Sequence, residues 1–381
     1  MLKRPYRIAV VIPKYGLVGG GERFAAEVTG RLADNPSYDI HVFATRWKVN
    51  TQNITFHRVP ILTFPRFLVT PSFAYFANKM IDEMGFDLIH THDRIFRADL
   101  FTMHGIPHRI WVSEVRRKRM SLFDLATAWV EEQMVRTGGC RLYLAVSKLA
   151  RERFATMFPD ADLKVELIPP GVAIDRFPVG SGREVIRRKV RARYGFNKSD
   201  SVILFVGMNF ELKGLDLVMK SMAQLVAGNT ENSRPKLLVV GKGDCRKYYH
   251  IARGMGIEKE IVFAGVVKEA VEELYLASDL FMLLSGFDTF GMVVLEAMAA
   301  SLPVIVSDRV GAKDLVTEGV NGFVVDRDDV GAVCRHLRFL LNPLNRKRLG
   351  GAARRQAEMH SWDRVAARLE EIYQLLLCKS D

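Results

Sequence analysis

Short apolar segments alternate with longer helical patterns along the whole chain of 381 residues. Several of these segments are apolar throughout rather than at alternate positions, which is typical of parallel strands covered on both faces. Repeated strand–helix alternation predicts right-handed βαβ units and therefore doubly wound α/β sheets. The predicted strands are Arg7–Ile12, Ile40–Ala44, Leu88–His90, Leu142–Val146 and Val165–Ile168 in a first sheet, and Val202–Val206, Lys236–Val240, Ile261–Ala264, Leu280–Leu284 and Pro303–Val306 in a second.

Length and punctuation predict two domains, each large enough to bury its own core. Prolines and glycines interrupt the pattern at 169–171 and again at 180–182. We therefore expect one doubly wound domain over residues 1–178 and a second over 179–360, with a terminal helix in 361–381 packing back on the first. Open α/β sheets bind ligands at the carboxyl ends of their strands, so two such domains facing each other would form a cleft.

Composition limits the compartment and the partners. The four cysteines are scattered without a C-x-x-C pair, which indicates a reducing compartment rather than a disulfide framework or zinc ribbon. The apolar run near the start is too short for a signal-peptide core, and no apolar stretch approaches the roughly 20 residues that span a bilayer. A cytoplasmic protein is predicted. The net charge of +12 favours an anionic partner, either nucleic acid, anionic lipid or a phosphorylated substrate.

One part of the charge lies in a segment over residues 105–136 that interleaves basic and bulky apolar side chains. This composition is typical of an interfacial helix on anionic lipid, although a solvated basic helix remains an alternative. Nucleic acid would need aromatic stacking platforms or a reading helix, and the sequence has neither. The residues predicted to contact the membrane are Arg109, Trp111, Arg116, Arg117, Lys118 and Arg119.

Asp288 and Glu296 lie eight residues apart around a predicted helix that opens at Phe290-Gly291. The N-terminus of a helix offers free N–H groups and a positive dipole end, which suit a phosphate. Carboxylates beside such a site suit sugar hydroxyls, so the pattern indicates a sugar nucleotide. The alternative is that Asp288 is only the N-cap of a buried helix and Glu296 only its solvated face.

In each predicted domain, one glycine-containing loop follows the first strand. Gly19, Gly20 and Gly21 allow backbone to approach a ligand closely, but their spacing is not G-x-G-x-x-G, so an NAD-linked oxidoreductase is disfavoured. A purely structural turn is the alternative. Gly207 precedes Lys213, whose ammonium is a suitable counter-charge for a leaving diphosphate; a solvated surface lysine is the alternative there.

Histidines cluster at His90, His92 and His104. His90 and His92 lie at alternate strand positions, but no third ligand has convincing spacing, so no metal site is predicted. His104 ends another apolar stretch and is expected to face the cleft. It could hold a hydroxyl or position a leaving group, or it could be a structural histidine.

These motifs, in this order, resemble a family 4 retaining glycosyltransferase of the GT-B fold, in which two Rossmann-like domains face each other across a cleft. The resemblance covers nearly the whole chain. It is carried by residues 19–22, 146–148, 168–177, 213–214, 240–243, 288–296 and 361–365. Pro13-Lys14-Tyr15 and the basic segment after His104 are most similar to the lipopolysaccharide core glucosyltransferases.

The resemblance implies a role for each candidate residue. Gly20 and Gly21 would approach the donor diphosphate, Lys213 would neutralise it, and Glu296 would hold the ribose. Asp288 would stand where the family's E-x7-E motif has its first glutamate, and His104 would lie beside the reacting sugar. The remaining residues expected to contact the donor, partly through backbone, are Gly19, Gly207, Asn209, Gly241, Val267, Phe290, Gly291 and Met292.

The implied reaction moves a hexose from a nucleoside diphosphate sugar, with UDP favoured, to a membrane glycolipid such as a lipopolysaccharide core. It proceeds with retention and without a metal or other cofactor, on the inner face of the cytoplasmic membrane. Two departures from the family stand out, aspartate at 288 and no arginine before Lys213. The alternatives are a sugar-nucleotide epimerase of the same fold and a catalytically silent module that binds sugar nucleotide or lipid.

Overall fold

The computed structural model describes residues 4–17, 19–48, 51–159, 163–227 and 234–378. The described chain divides into two compact units, with the divisions after Gly171 and before Trp362. Residues 172–178 therefore pack with the second unit, and Trp362 onward with the first. The last three residues of the predicted terminal segment, 379–381, lie outside the described residues.

The first unit is built on a parallel seven-stranded sheet of order β5-β3-β1-β6-β7-β8-β9, with a separate parallel pair β2-β4. Its strands are β1 (Tyr6–Val11), β2 (Lys14–Tyr15), β3 (Tyr38–Ala44), β4 (Arg46–Trp47), β5 (Ile54–Arg58), β6 (Leu88–Thr91), β7 (Ala98–Met103), β8 (Cys140–Ala145) and β9 (Val165–Leu167). Its helices are α1 (Gly20–Ala33), α2 (Val69–Met84), α3 (His108–Ile110), α4 (Leu122–Arg136) and α5 (Lys148–Met157), with a π-helical turn at Trp111–Val115.

The second unit has a parallel six-stranded sheet of order β12-β11-β10-β13-β14-β15. Its strands are β10 (Val202–Gly207), β11 (Lys236–Gly241), β12 (Ile261–Gly265), β13 (Leu280–Leu283), β14 (Val304–Ser307) and β15 (Gly322–Val325). Its helices are α6 (Ser181–Tyr194), α7 (Leu215–Ala227), α8 (Cys245–Gly254), α9 (Glu272–Ala277), α10 (Met292–Ala299), α11 (Val330–Leu341) and α12 (Pro343–Glu358). The predicted pair of doubly wound α/β domains is confirmed.

Burial explains why the central strands are apolar throughout. Ile8 to Val11 in β1 and Val202 to Phe205 in β10 are almost fully buried, because helices cover both faces of each sheet. Both strands lie inside their sheets and pair in parallel on each side. Their carboxyl ends therefore open onto the edge where α/β sheets bind ligands.

The terminal helix α13 (Trp362–Leu377) belongs to the first unit and packs against α1. Trp362 is almost fully buried at its start, and Tyr373 near its end donates or accepts a hydrogen bond with His90 Nδ1 at 2.7 Å. The exposed ion pair between Arg31 Nε and Asp363 Oδ1, at 2.6 Å, also joins the two helices. The core of the first unit thus includes residues from both ends of the described chain.

Candidate active site

An ion pair lies at the carboxyl edge of the second sheet. Lys213 Nζ lies 2.5 Å from Asp288 Oδ2, and each side chain is less than one fifth exposed. Lys213 comes from the loop after β10, and Asp288 from the loop after β13, the neighbouring strand. The lysine is therefore held at one position rather than free in solvent, and the two predicted residues are brought together.

Glycines at this edge allow neighbouring backbone and side-chain atoms to pack closely. A Cβ added at Gly207 would lie 2.9 Å from Lys213 Cγ, so the lysine stem packs directly on the strand end. Gly241, with φ +125°, ends β11 and lies so close to the Gly207 carbonyl oxygen that a side chain would collide with it. Asn209 Oδ1 accepts a hydrogen bond from the Leu212 N–H at 3.1 Å, which shapes the loop. Val267, two residues beyond β12, is partly exposed.

The loop before α10 shows that Asp288 is not a helix cap. Gly291 holds the N-cap position in the left-handed region, with φ +89°, and Asp288 lies three residues earlier. The backbone N–H of Asp288 donates to Arg309 O at 3.0 Å, and its carbonyl accepts from Gly311 N at 2.9 Å. The carboxylate is thus fixed by backbone pairing and left available to Lys213. Phe290 is buried beside it, and Met292 begins the helix.

Glu296 lies on α10 and is only 8% exposed, so it is not on a solvated face. The Tyr275 hydroxyl, fully buried on α9, donates to Glu296 Oε2 at 2.8 Å. A buried carboxylate is stable only with such donors, and a second oxygen can accept from a hydroxyl-bearing ligand. The interpretation of Asp288 and Glu296 as an N-cap and a surface residue is therefore wrong.

Arg327 is a residue at this edge that the sequence did not single out. Its side chain is 17% exposed, and its Nε is buried without a hydrogen-bond partner among the described residues. The guanidinium occupies the space beside Gly286, where any Cβ would collide with Nη1. The nearest carboxylate, Asp328, lies 3.8 Å from Nε and is itself mostly exposed. A largely shielded cation with so little compensation favours an anion.

Three histidines form a chain at the carboxyl edge of the first sheet. His90 Nε2 lies 2.8 Å from Thr102 Oγ1, so both ring nitrogens of His90 have partners inside the core. His92 Nδ1 lies 2.9 Å from His104 Nε2, while His92 Nε2 is buried without a partner among the described residues. Burial lowers the pKa of His90 and of His104 to about 3, and the pKa of His92 well below its usual value. All three rings are neutral at pH 7.

The glycine loop begins α1 against this histidine chain. A Cβ at Gly21 would lie 2.9 Å from His104 Cγ, so Gly21 lets the helix start directly on the imidazole. Gly20 is the first residue of α1, and Gly19 is its N-cap, covered by the Glu22 carboxylate. Gly21, His92 and His104 line a cavity of about 350 Å³. In the part of the chain that the structure describes, no group of three His, Cys, Asp or Glu side chains could hold a metal ion.

The predicted interfacial helix through the basic run is wrong. The helical segment ends at Val115, and Arg116, Arg117, Lys118 and Arg119 are exposed in an irregular stretch before α4. Arg117 has φ +50° there, which a continuous helix would not allow. Arg109 pairs with Glu132 on α4, and Trp111 is partly buried. The four cations are presented by a loop. Among the described residues, no helix is long and apolar enough to span a bilayer.

A second basic cluster, on α6, is used inside the second unit. Arg183, Arg187 and Arg191, at successive fourth positions, donate to the last carbonyl groups of α9 and its neighbour Ser278. Arg187 and Arg191 also bind Asp279, each at 2.6 Å. Cations at a helix C-terminus satisfy its free carbonyls and its dipole. This part of the net charge is structural.

Family models match both units. A model of Glycosyltransferase Family 4 matches residues 18–176, and a model of Glycosyl transferases group 1 matches residues 186–356. An uncharacterized glycosyltransferase of Methanocaldococcus jannaschii is 26% identical over 377 residues, which are 95% of this chain and 92% of that protein. A D-inositol 3-phosphate glycosyltransferase of Geodermatophilus obscurus is 32% identical over 54% of this chain. This chain matches about half the length of that relative, 46%.

Solved structures share the fold over nearly the whole chain. WaaG, a glycosyltransferase involved in lipopolysaccharide biosynthesis, superposes with a TM-score of 0.78 at 19% identity, covering 96% of this chain and 99% of WaaG. Anabaena HepE, solved in complex with UDP-glucose, superposes with a TM-score of 0.75 at 17% identity, covering 97% and 99%. With a family model matched to each Rossmann-like domain, the chain belongs to the family 4 glycosyltransferases and has the GT-B fold.

Proposed function

We propose that the protein transfers a hexose with retention from a nucleoside diphosphate sugar, UDP being favoured, to a membrane glycolipid. The observation that carries the proposal is the Lys213–Asp288 ion pair beside the N-terminus of α10. A cation, a positive helix end and a fixed carboxylate together match a diphosphate that carries a polyhydroxylated sugar. The UDP-glucose complex of HepE and the lipopolysaccharide role of WaaG support this choice by analogy.

In this proposal the second unit holds the donor. Lys213 and Arg327 neutralise the diphosphate, and the free N–H groups at the start of α10 bind its oxygens. Glu296, oriented by Tyr275, accepts from the ribose hydroxyls, while Asp288 accepts from the sugar. Gly207, Gly241 and the backbone near Val267 contact the nucleotide. Arg327 takes over the charge of the arginine that is missing before Lys213.

The reaction needs a good leaving group more than a strong base. The bond between the anomeric carbon and the phosphate oxygen breaks, and the acceptor hydroxyl oxygen bonds to the same face of that carbon. The acceptor proton passes to the departing phosphate oxygen, and the products are a glycoside and a nucleoside diphosphate. Lys213 acts on the charge that develops on the phosphate, where one well-placed donor is worth about 100- to 1000-fold in rate.

The first unit presents an apolar surface for the membrane. Leu122, Leu125 and Trp129 lie three and four residues apart on α4 and are 41% to 69% exposed, so they form one apolar stripe. The segment before α2 adds Phe64, which is 88% exposed, and the 3-10 turn that follows it packs against α4. Together with the Arg116–Arg119 loop, which lies just before α4, this surface has the composition of an interfacial anchor.

A thermal-shift screen tests donor binding. The purified protein is heated with UDP-glucose, UDP-galactose, UDP-N-acetylglucosamine, GDP-mannose, UDP or GDP. A ligand at 100 times its Kd stabilises by about 2.7 kcal/mol, so one UDP-sugar is expected to raise the melting temperature selectively. The Lys213→Gln variant should lose most of that shift, and Lys220→Gln, which removes an exposed lysine on α7, should keep it. No shift with any ligand would contradict the proposal.

Product analysis separates the three activities that the fold allows. A transferase releases nucleoside diphosphate faster when a membrane lipid extract is added. An epimerase would convert the donor sugar without any acceptor, and a silent module would bind donor but release no nucleotide.

Sedimentation with vesicles tests membrane contact. Neutralising Arg116, Arg117 and Arg119 together should weaken binding to anionic vesicles and leave donor binding intact. The double variant Phe64→Ser with Leu122→Ser should likewise weaken vesicle binding and leave donor binding intact. Its matched control is Tyr249→Ser, because Tyr249 is an exposed aromatic residue of the second unit. If both variants sedimented with vesicles as the unmodified protein does, the proposed membrane contact would be wrong.

A further inference from the structure

A cavity of about 960 Å³ in the first unit lies at the carboxyl edge of its sheet, and its lining residues include Asp93 and four cations. The four adjacent strands β5, β3, β1 and β6 each supply one of them at or just beyond their last residue. These are Arg58, Arg46, Lys14 and Arg94. Convergence of one cation from each of four parallel strands on a single cavity places positive charge where α/β sheets bind ligands.

Among the residues that the structure describes, three of these cations lack an acidic partner. Arg94 pairs with Glu131 Oε1 at 3.0 Å and with Asp93, so its charge is compensated. Lys14, Arg46 and Arg58 are exposed, and none has an acidic partner among the described residues. Lys14 and Arg46 are moreover register partners in the parallel pair β2-β4. Neighbouring strands lie about 5 Å apart, so the like charges that they carry repel each other, and an anion bound between them would relieve that repulsion.

The loops that carry these cations are tied together. The Thr45 hydroxyl donates to the Pro13 carbonyl at 2.6 Å, joining the end of β3 to the end of β1. The backbone N–H of Arg46 also donates to Pro13 O, at 3.3 Å. The backbone that carries Lys14 and Arg46 is thus held by hydrogen bonds to Pro13 O.

The opposite wall of the cavity is apolar. Val69 and Phe73 from α2 and Phe123 from α4 line it. Thr63 continues the lining and is followed at once by Phe64, the most exposed large apolar residue among those described. The cavity therefore runs from a cationic floor to the apolar surface assigned to the membrane.

We propose that this cavity binds the acceptor by a phosphate ester on its saccharide, with Lys14, Arg46 and Arg58 holding the phosphate and the apolar wall holding the lipid chain. The acceptor class is a phosphorylated glycolipid. Arginine binds phosphate oxygens in pairs, and an amphiphile with an anionic head matches both walls. This inference rests on the proposed transferase function and specifies the acceptor that it uses.

Calorimetric titration with n-octyl phosphate, below its micelle concentration, tests the site. The matched neutral probe is n-octyl glucoside, and inorganic phosphate is the probe without a chain. We expect n-octyl phosphate to bind at least about tenfold more tightly than either, because a charge-assisted contact and the chain each add affinity. Arg46→Gln and Arg58→Gln should each weaken it about tenfold. Lys48→Gln, which removes an exposed cation outside the cavity lining, should change it less than twofold.

Three outcomes would overturn the inference. Equal affinities for n-octyl phosphate and n-octyl glucoside would show that the cavity does not recognise the phosphate group. An equal loss of affinity for n-octyl phosphate in Lys48→Gln and Arg46→Gln would show that the ligand responds to general surface charge rather than to a specific site. Inorganic phosphate binding as tightly as n-octyl phosphate would assign the cavity to a soluble phosphate. The thermal shift of the same variants with UDP is the independent check. If the shift persists while the expected binding of n-octyl phosphate is not found, the transferase proposal stands and only the acceptor inference fails. If the unmodified protein shows no shift with UDP, the transferase proposal itself fails.

Discussion

Lys213 and Asp288 form an ion pair at 2.5 Å across two neighbouring strand ends, with both side chains shielded from most of the solvent. Replacing the lysine removes the cation at which leaving-group charge develops. Lys213→Gln is expected to lower kcat about 100- to 1000-fold. Nucleoside diphosphate release measures this, with Lys220→Gln as control. A loss smaller than about threefold would show that Lys213 is not the counter-charge.

Asp288→Glu restores the glutamate that the family resemblance implies, and it should nevertheless lower activity. The Asp288 backbone is pinned by Arg309 O and Gly311 N, and its Oδ2 would lie 3.3 Å from a Cβ on Gly291. An added methylene therefore moves the carboxylate about 1 Å out of place, which costs on the order of 100-fold in rate. Steady-state kinetics with the donor found in the screen measures it. Equal or higher kcat in the variant would mean that the loop adjusts.

Tyr275→Phe should weaken donor binding through Glu296. The variant removes the donor of the 2.8 Å hydrogen bond and leaves a carboxylate that is only 8% exposed with one partner fewer. We expect a stability loss of about 1–3 kcal/mol. We also expect a KM for donor raised several-fold with kcat nearly unchanged, because the ribose contact is the same in ground and transition states. Glu296→Gln should raise KM further. If Tyr275→Phe lowered stability but left the KM for donor unchanged, Glu296 would not be a ribose-binding residue.

Arg327→Gln should raise the Kd for UDP about tenfold, since it removes a largely shielded cation for which the described residues supply no tight acidic partner. Arg309→Gln is the control, because Arg309 is 43% exposed and also approaches Asp328, at 3.4 Å. Titration with UDP and with uridine separates a phosphate contact from a nucleoside contact. Equal losses for both ligands would assign Arg327 to loop packing around Gly286.

The buried histidines make stability depend on pH. Their pKa values are lowered in the folded state, to about 3 for His90 and His104, whereas unfolded histidine titrates near its usual value of about 6.5. Between these pH values the unfolded state binds more protons, so stability is complete above about 6.5 and falls as pH drops toward 3. Urea unfolding at pH 7.5 and 5.0 should show the loss, and His90→Asn should show less of it. An unchanged pH dependence in that variant would contradict buried neutral His90.

The sequence could predict the elements whose signal is local. Strands β1, β3, β10 and β11 are continuous apolar runs, and the two-domain α/β fold follows from them. Five strands of the described residues were not predicted, and two of them, β2 and β4, have only two residues each. Strand β5 reads Ile-Thr-Phe-His-Arg at the sheet edge, β15 has four residues, and β7 was recognised only as an apolar stretch before His104.

The candidate site could be predicted only in part, because much of it is tertiary. The E-x7-E-like spacing identified Asp288 and Glu296, but the hydroxyl that orients Glu296 comes from Tyr275 on another helix. Arg327 reaches Gly286 from the end of β15, a contact that no spacing along the chain records. The one available signal was an arginine two residues after the end of β15. The basic run was misread as a helix because composition reports charge and apolarity but not the φ of Arg117.

The close seating of Trp362 on Gly171 has a consequence for the order of folding. A Cβ at Gly171 would lie 2.8 Å from the indole, so the two chain segments of the first unit fit only when both are present. During synthesis, residues up to 171 emerge before α13, so we expect the first unit to complete its hydrophobic core only after α13 has left the ribosome. The second unit, continuous from 172 to 361, can complete itself earlier. We therefore expect the first unit to finish folding after the second, although its first segment emerges earlier.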